Sequence, residues 1–186
     1  MMSDRPTFRT FVAYVEDRPG VLNRVASLFR RRGYNIVSLN VGRTHEPGVS
    51  RMTFVVDADD DTGRRIEANL YKLVNVLSVE DITHEAAVVR DLALIKVRVG
   101  PDRRAEVLQL CDVFRARAVD VGPDTLIVEI TGTQDKLEGL VTVLQPFGID
   151  EMVQTGTVAI TRGNKSRAAQ NASAAQTSEE IDTAAE

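Results

Sequence analysis

The chain has 186 residues, with no tryptophan and a single cysteine, Cys111. One thiol excludes an intramolecular disulfide, so the fold must rest on packing and hydrogen bonds. Cys111 falls in a helical apolar pattern and reads as a buried structural thiol. Only two histidines occur, His45 and His84, in different segments and without companion ligands. That scarcity leaves metal ligation unsupported and excludes a Ser-His-Asp or Cys-His set. Glycine-rich phosphate loops of the GxGxxG or GxxxxGKS/T type are absent. No apolar run approaches the roughly 20 residues of a membrane helix. The opening MMSDRPTFRT lacks the apolar centre of a signal peptide, so a soluble, cytoplasmic protein is expected. Excess positive charge is missing too. There are 23 Lys and Arg against 27 Asp and Glu, for a formal net charge of -4. The interspersed signs argue against a dedicated nucleic-acid binder, which normally shows a basic face.

What is present is an alternation of strand and helix signals. Residues 7–16, TFRTFVAYVE, are rich in β-branched and aromatic residues and read as a strand. Phe11, Ala13 and Val15 fall on one face, and Phe8, Val12 and Tyr14 on the other. A sheet with one wet face would alternate more cleanly, so the second face is expected to be covered by a partner or a neighbouring domain. From Val21 the period turns helical, with a stripe of Val21, Leu22, Val25, Ala26, Leu28 and Phe29. Pro19 suits a first helical position, Arg30, Arg31 and Arg32 suit a last turn, and Gly33 suits a left-handed cap. Residues 36–43 form a second strand, 45–48 a turn and 51–57 a third strand. Asp59, Asp60, Asp61 and Thr62 supply cap candidates for a helix carrying Ile66, Leu70 and Leu73. Residues 76–83 close a βαββαβ unit, which predicts a four-stranded antiparallel sheet with two helices on one face.

The same order returns about 80 residues later, as a repeat of architecture without residue-level identity. Residues 92–99 read as a strand. A helix follows with Val107, Leu110, Cys111 and Phe114. Residues 117–121 and 125–131 read as a hairpin. Leu137, Leu140, Val141 and Leu144 mark another helix, and residues 152–161 one last strand. From Asn164 the composition collapses to Ala, Ser, Gln, Thr and Glu, too poor in apolar surface to offset chain entropy. The expected class is therefore α+β, with two tandem ferredoxin-like βαββαβ domains at 1–84 and 85–163 and a disordered tail at 164–186.

The chemistry concentrates at Asp17-Arg18-Pro19-Gly20 and the helix start that follows. A first helical turn has unsatisfied N–H donors, and these with the helix dipole attract carboxylates. Gly20 presents no side chain to block approach. Asp17 is placed to accept from an ammonium group, and Asn35 heads the next strand. A carboxylate cradle beside an ammonium acceptor complements a free amino acid. Asp17 could equally tie only its own turn, and Pro-Gly only shape the loop; the residues by themselves leave both readings open.

The segments DRPGVLNRVASLFRRRGYNIVSLNVG, SRMTFVV and YKLVNVLSV, in that order, resemble the small regulatory subunit of acetolactate (acetohydroxyacid) synthase. The resemblance runs from about Phe8 to about Arg162 and is densest in the first domain, which resembles an ACT domain. It is looser in the second, through DLALIKV, Asp120-Val121 and the closing Arg162-Gly163. It implies a chain that is not catalytic and needs no cofactor of its own. It implies a homodimer formed through side-by-side ACT domains, with valine bound at the dimer interface. It implies a larger catalytic partner that carries thiamine diphosphate, FAD and Mg²⁺, which the chain activates and makes sensitive to valine. The effector pocket carried over would be Asp17, Gly20, Val21, Leu22, Asn35 and Ile36, with Asn23 at its edge. Family members often carry asparagine where this chain has Asp17. An ionised aspartate suits an ammonium but cannot donate to a ligand carboxylate.

Three other readings share the βαββαβ order. An RNA-recognition domain needs exposed aromatics on its central strands, and the third strand offers only Phe54. An acylphosphatase-like hydrolase needs an anion loop with a positioned arginine and asparagine, for which only Arg18 and Asn35 could serve. An ACT-type amino-acid sensor for a different enzyme is the nearest alternative.

Overall fold

The computed structural model describes residues 7–163. The expected tail at 164–186 lies outside the described residues. Alternation of apolar side chains builds β1 (Phe8–Glu16), whose core side presents Phe11, Ala13 and Val15, each fully buried. Gly20 then caps α1 (Val21–Arg32), and Gly33 ends it in the left-handed conformation at φ 70°, its N–H donating to the Arg30 carbonyl. Pro19 was expected inside the helix but stands in the turn before it. The positive φ of 84° at Gly20 turns the chain into the helix there, a geometry proline cannot adopt.

β2 (Ile36–Arg43) and β3 (Val49–Asp57) form a hairpin, and β3 starts two residues earlier than the sequence suggests. Asp59 caps α2 (Asp60–Leu70), accepting from the Thr62 N–H at 2.7 Å. β4 (Val76–Asp81) closes the unit. The sheet order is β2-β3-β1-β4, antiparallel throughout. Both helices pack on one face over a core of Phe29, Phe54, Met52, Ile66 and Leu70. Phe29 meets Phe54 at 5.5 Å and Tyr34 edge-on at 5.9 Å between ring centres. Such pairs add about 0.5–1.5 kcal/mol to the burial itself.

The second unit repeats the plan: β5 (Ala87–Arg98), α3 (Arg104–Phe114), β6 (Arg117–Val121), β7 (Thr125–Gly132), α4 (Gln134–Leu144) and β8 (Ile149–Gln154). Its order, β6-β7-β5-β8, is the first unit's order position for position. Ile95, Leu126, Ile130, Leu137, Leu140 and Leu144 fill its core. Cys111 is buried there, and burial with nearby Asp112 pushes its thiol pKa up, which keeps it protonated and unreactive.

One segment departs from expectation. Residues 152–161 do not form one strand. The chain breaks at Thr155–Thr157, and β9 (Val158–Thr161) then pairs with residues 87–90 at the start of β5. β5 therefore begins five residues earlier than predicted, because its first part belongs to this ribbon and only its second part to the second sheet. The ribbon covers the first sheet's remaining face. Val12, Ile82 and Ala159 are buried together, with Tyr14, Ala87 and Val89 around them. The double-faced apolarity of β1 is thus explained by the neighbouring unit.

Polar ties fix this layer. Arg51 donates to the Ala159 carbonyl and to Thr53 Oγ1, with its guanidinium 5.7 Å from the Tyr14 ring centre. Thr157 N–H donates to Ser38 Oγ at 2.8 Å. Gly156 lies so close to β2 that a Cβ there would meet the Leu39 carbonyl oxygen at 2.2 Å. No helix among the described residues is long and apolar enough to cross a membrane.

Candidate functional site

The loop after β1 is held from below. Glu16 N–H donates to the Asn75 carbonyl at 2.9 Å, and Asn75 Nδ2 donates back to Glu16 Oε2 at 2.6 Å. Arg24 on the first turn of α1 donates to Asn75 Oδ1. Asn75 is buried, and it joins the end of β1, the start of α1 and the α2–β4 loop. Asp17 N–H donates to the Gly48 carbonyl at 2.8 Å, which fastens the loop to the β2–β3 turn.

Above that support the helix tip is open. Gly20 is the N-cap, no side chain caps it, and a Cβ at Gly20 would meet nothing within 4 Å. Arg24 N–H reaches the Gly20 carbonyl at 3.0 Å, closing the first turn. Val21 N–H reaches the Arg18 carbonyl only at 3.4 Å. The N–H groups of Leu22 and Asn23 have no intrahelical carbonyl to meet, as in any first turn. Leu22 and Asn23 are exposed there, whereas the Val21 side chain is buried in the core. Val21 can therefore offer a ligand its backbone, not its side chain.

Asp17 is not idle. Its carboxylate sits 3.3 Å from Arg43 Nε at the end of β2, with both side chains exposed. Such a pair contributes at most about 1 kcal/mol, so an incoming ammonium can share or replace the guanidinium.

The structure divides the predicted set. Asp17, Gly20, Val21, Leu22 and Asn23 gather at one end of α1. Asn35 and Ile36 lie beyond the other end, and the 12-residue helix between them spans about 18 Å. Within one chain these two groups do not meet. Asn35 is exposed, and Ile36 is half-buried against the first core. The same separation removes the acylphosphatase-like pairing of Arg18 with Asn35. Phe54 is fully buried, so the first sheet offers no base-stacking platform at that strand. Sequence reasoning missed Asn75, Arg24 and Arg43. The signal for Asn75 was slight, a lone polar residue between apolar Leu73, Val74 and Val76.

A βαββαβ unit with an open, glycine-bordered helix tip, followed by a second unit of the same topology, defines an ACT-domain protein with a paired ferredoxin-like domain. Comparison with known proteins narrows this class. Residues 11–78 match the family described as an AHAS small subunit-like ACT domain, and residues 90–163 match the small subunit of acetolactate synthase. A probable acetolactate synthase small subunit of Archaeoglobus fulgidus is 47% identical over 84% of this chain and 98% of its own. The acetolactate synthase small subunit of Bacillus subtilis is 43% identical over 88% of this chain and 95% of its own. The crystal structure of the Thermotoga maritima acetolactate synthase small subunit superposes with a TM-score of 0.80 at 40% identity, covering 86% of this chain and 99% of that one. The chain belongs to the acetolactate synthase small-subunit family.

Proposed function

We propose that this chain is the regulatory subunit that activates a thiamine-diphosphate-dependent acetolactate synthase catalytic subunit and makes it sensitive to valine. The reaction belongs to the partner: two pyruvates condense to 2-acetolactate with loss of CO₂. Thiamine diphosphate, FAD and Mg²⁺ are carried by that partner, and this chain contributes no group to the chemistry. The complex works in the cytoplasm, in branched-chain amino acid synthesis.

The observation that carries the effector reading is the layout of β2. It is an edge strand, with Val37 and Val41 exposed. Its last residue, Arg43, touches Asp17 at the helix tip, and Asn35 stands just before its first residue. Antiparallel pairing of two β2 edges about a two-fold axis brings Asn35 of one copy beside the helix tip of the other. A homodimer of this kind reunites the two halves of the predicted pocket. Valine then places its carboxylate on the N–H groups around Gly20, Val21 and Leu22, its ammonium near Asp17, and its side chain toward Leu22 and Ile36.

Valine acts only if it binds the two states of the complex unequally. A coupling of about 1–3 kcal/mol corresponds to a several-fold to hundredfold effect. The route to the second unit is the ribbon layer, since β2 and β1 both touch it directly. Asn23→Phe tests the assignment. The variant is expected to keep stimulating acetolactate formation while valine inhibits it at least tenfold less effectively. Inhibition as strong as with the unsubstituted chain would remove the pocket. A sensor built for a different enzyme would bind valine without changing acetolactate formation.

A further inference from the structure

At the opposite end of α1 from the effector tip, a cleft of about 380 Å³ opens between the C-terminal ends of α1 and α2. Leu28, Arg31, Arg32, Asn69, Lys72 and Leu73 line it. Three of the six are cations and none is an acid. This concentration stands out on a chain with a net charge of -4. Among the described residues, Arg31, Arg32 and Lys72 make no ion pair and no side-chain hydrogen bond.

Helix capping does not account for them. The α1 carbonyls of Phe29 and Arg30 are already taken by the Tyr34 and Gly33 N–H groups at 3.0 and 3.2 Å. The α2 carbonyls of Glu67 and Asn69 accept from the Tyr71 and Lys72 N–H groups at 3.1 and 3.3 Å. Helix dipoles favour positive charge in the last turn, which suits Arg31 and Arg32 on α1, but Lys72 lies past the end of α2.

Asn69 adds a second feature. Its side chain lines the cleft although the residue is only 7% exposed. Its one hydrogen bond donates to the Tyr34 hydroxyl at 3.5 Å, a long contact. The second amide hydrogen is left for another acceptor. A nearly buried carboxamide with spare donor capacity sits among three cations that have no ion-pair partner, between two leucines. Two guanidinium forks, one ammonium and one amide supply donors of the kind that bind the oxygens of a phosphate group.

We propose that this cleft is a binding site for the phosphate or pyrophosphate group of a small metabolite, separate from the amino-acid site. Along α1 the lining begins at Leu28, seven residues or about 10 Å from Val21, and the cleft shares no residue with the amino-acid site.

The test is calorimetric titration of the full chain with sodium pyrophosphate, in chloride buffer of low ionic strength. The expected result is saturable binding of one pyrophosphate per chain. Arg31→Gln with Lys72→Gln should weaken it about tenfold or more, since two charge-assisted contacts go. Arg90→Gln with Arg162→Gln removes the same charge elsewhere and should change affinity less than about twofold. Lys72→Gln alone, at an exposed side chain, should weaken binding measurably without altering the melting curve. Absence of saturable binding overturns the proposal. So does equal weakening by both double variants, which would mean general charge attraction. Equally decisive would be loss of assembly with the catalytic subunit in the first double variant without pyrophosphate binding by the parent chain. In that case the cleft would be a docking surface for an acidic protein.

Discussion

Gly156→Ala is the substitution whose consequence follows most directly from the structure. The added methyl would lie 2.2 Å from the Leu39 carbonyl oxygen, 2.6 Å from its carbon and 3.0 Å from Asn40 nitrogen. These are backbone atoms of β2, held by its hydrogen bonds to β3, so they cannot give way as a side-chain tip would. Relief to ordinary contact requires the 155–157 segment to lift by about 1 Å. Overpacking of this kind costs about 1–3 kcal/mol. Lifting also breaks the Thr157 to Ser38 hydrogen bond of 2.8 Å, worth about 0.5–1.5 kcal/mol. The sum is about 2–4 kcal/mol, or a fall of roughly 4–16 °C in melting temperature for a chain of this size. Thermal unfolding followed by circular dichroism measures the fall. The same variant should bind valine nearly normally, because the helix tip is untouched, yet transmit it poorly. A melting temperature within about 1 °C of the parent would refute the claim that this glycine seats the ribbon on β2.

Other substitutions probe separate joints. Gly20→Ala meets no steric obstacle but forces a side chain into φ 84°. It should cost about 1–2 kcal/mol in a urea melt and weaken valine binding, and no change in either would argue against the tip geometry. Val12→Asp puts a charge where the residue is 2% exposed between the two layers. It should destabilise by about 3 kcal/mol or more and expose the ribbon to proteolysis, while resistance equal to the parent's would mean the layer does not matter. Asp81 offers a pH test. Burial alone would raise its carboxyl pKa, but hydrogen bonds from Thr83 and Arg9 outweigh that and hold it below the usual range. A lowered folded value means its stabilising contribution is complete above about pH 4 and lost as pH falls through the folded value. Asp81→Asn should remove that acid limb and lower stability at neutral pH by about 1–3 kcal/mol. Acid denaturation profiles that superimpose would contradict it.

How much of this was legible in the sequence depends on the kind of interaction. Periodicity gave both βαββαβ units because a helix stripe such as Val21, Val25, Leu28 and Phe29 encodes its own burial. Caps at Gly33 and Asp59 were readable because they are local. The ribbon was not. A gap of three residues, Thr155 to Thr157, in an otherwise strand-like run is marked locally only by the isolated Gly156, and the second layer requires it. Gly156 is needed for close approach to a residue far away in the chain, which no window of neighbours reveals. Likewise the buried Arg9, which donates to both Asp60 and Asp81, joins residues distant in sequence, and each reads as an ordinary surface charge. The candidate site divided along the same line. The tip from Asp17 to Asn23 was local and legible. The distance to Asn35 needed the helix in place, and the supporting network around Asn75 needed the tertiary fold.

The most direct trial of the regulatory role is to purify the host's acetolactate synthase catalytic subunit and measure acetolactate formation alone, with this chain, and with this chain plus valine. The account predicts a rise on adding the chain and a fall on adding valine that the catalytic subunit alone does not show. Identical rates in all three mixtures would contradict it.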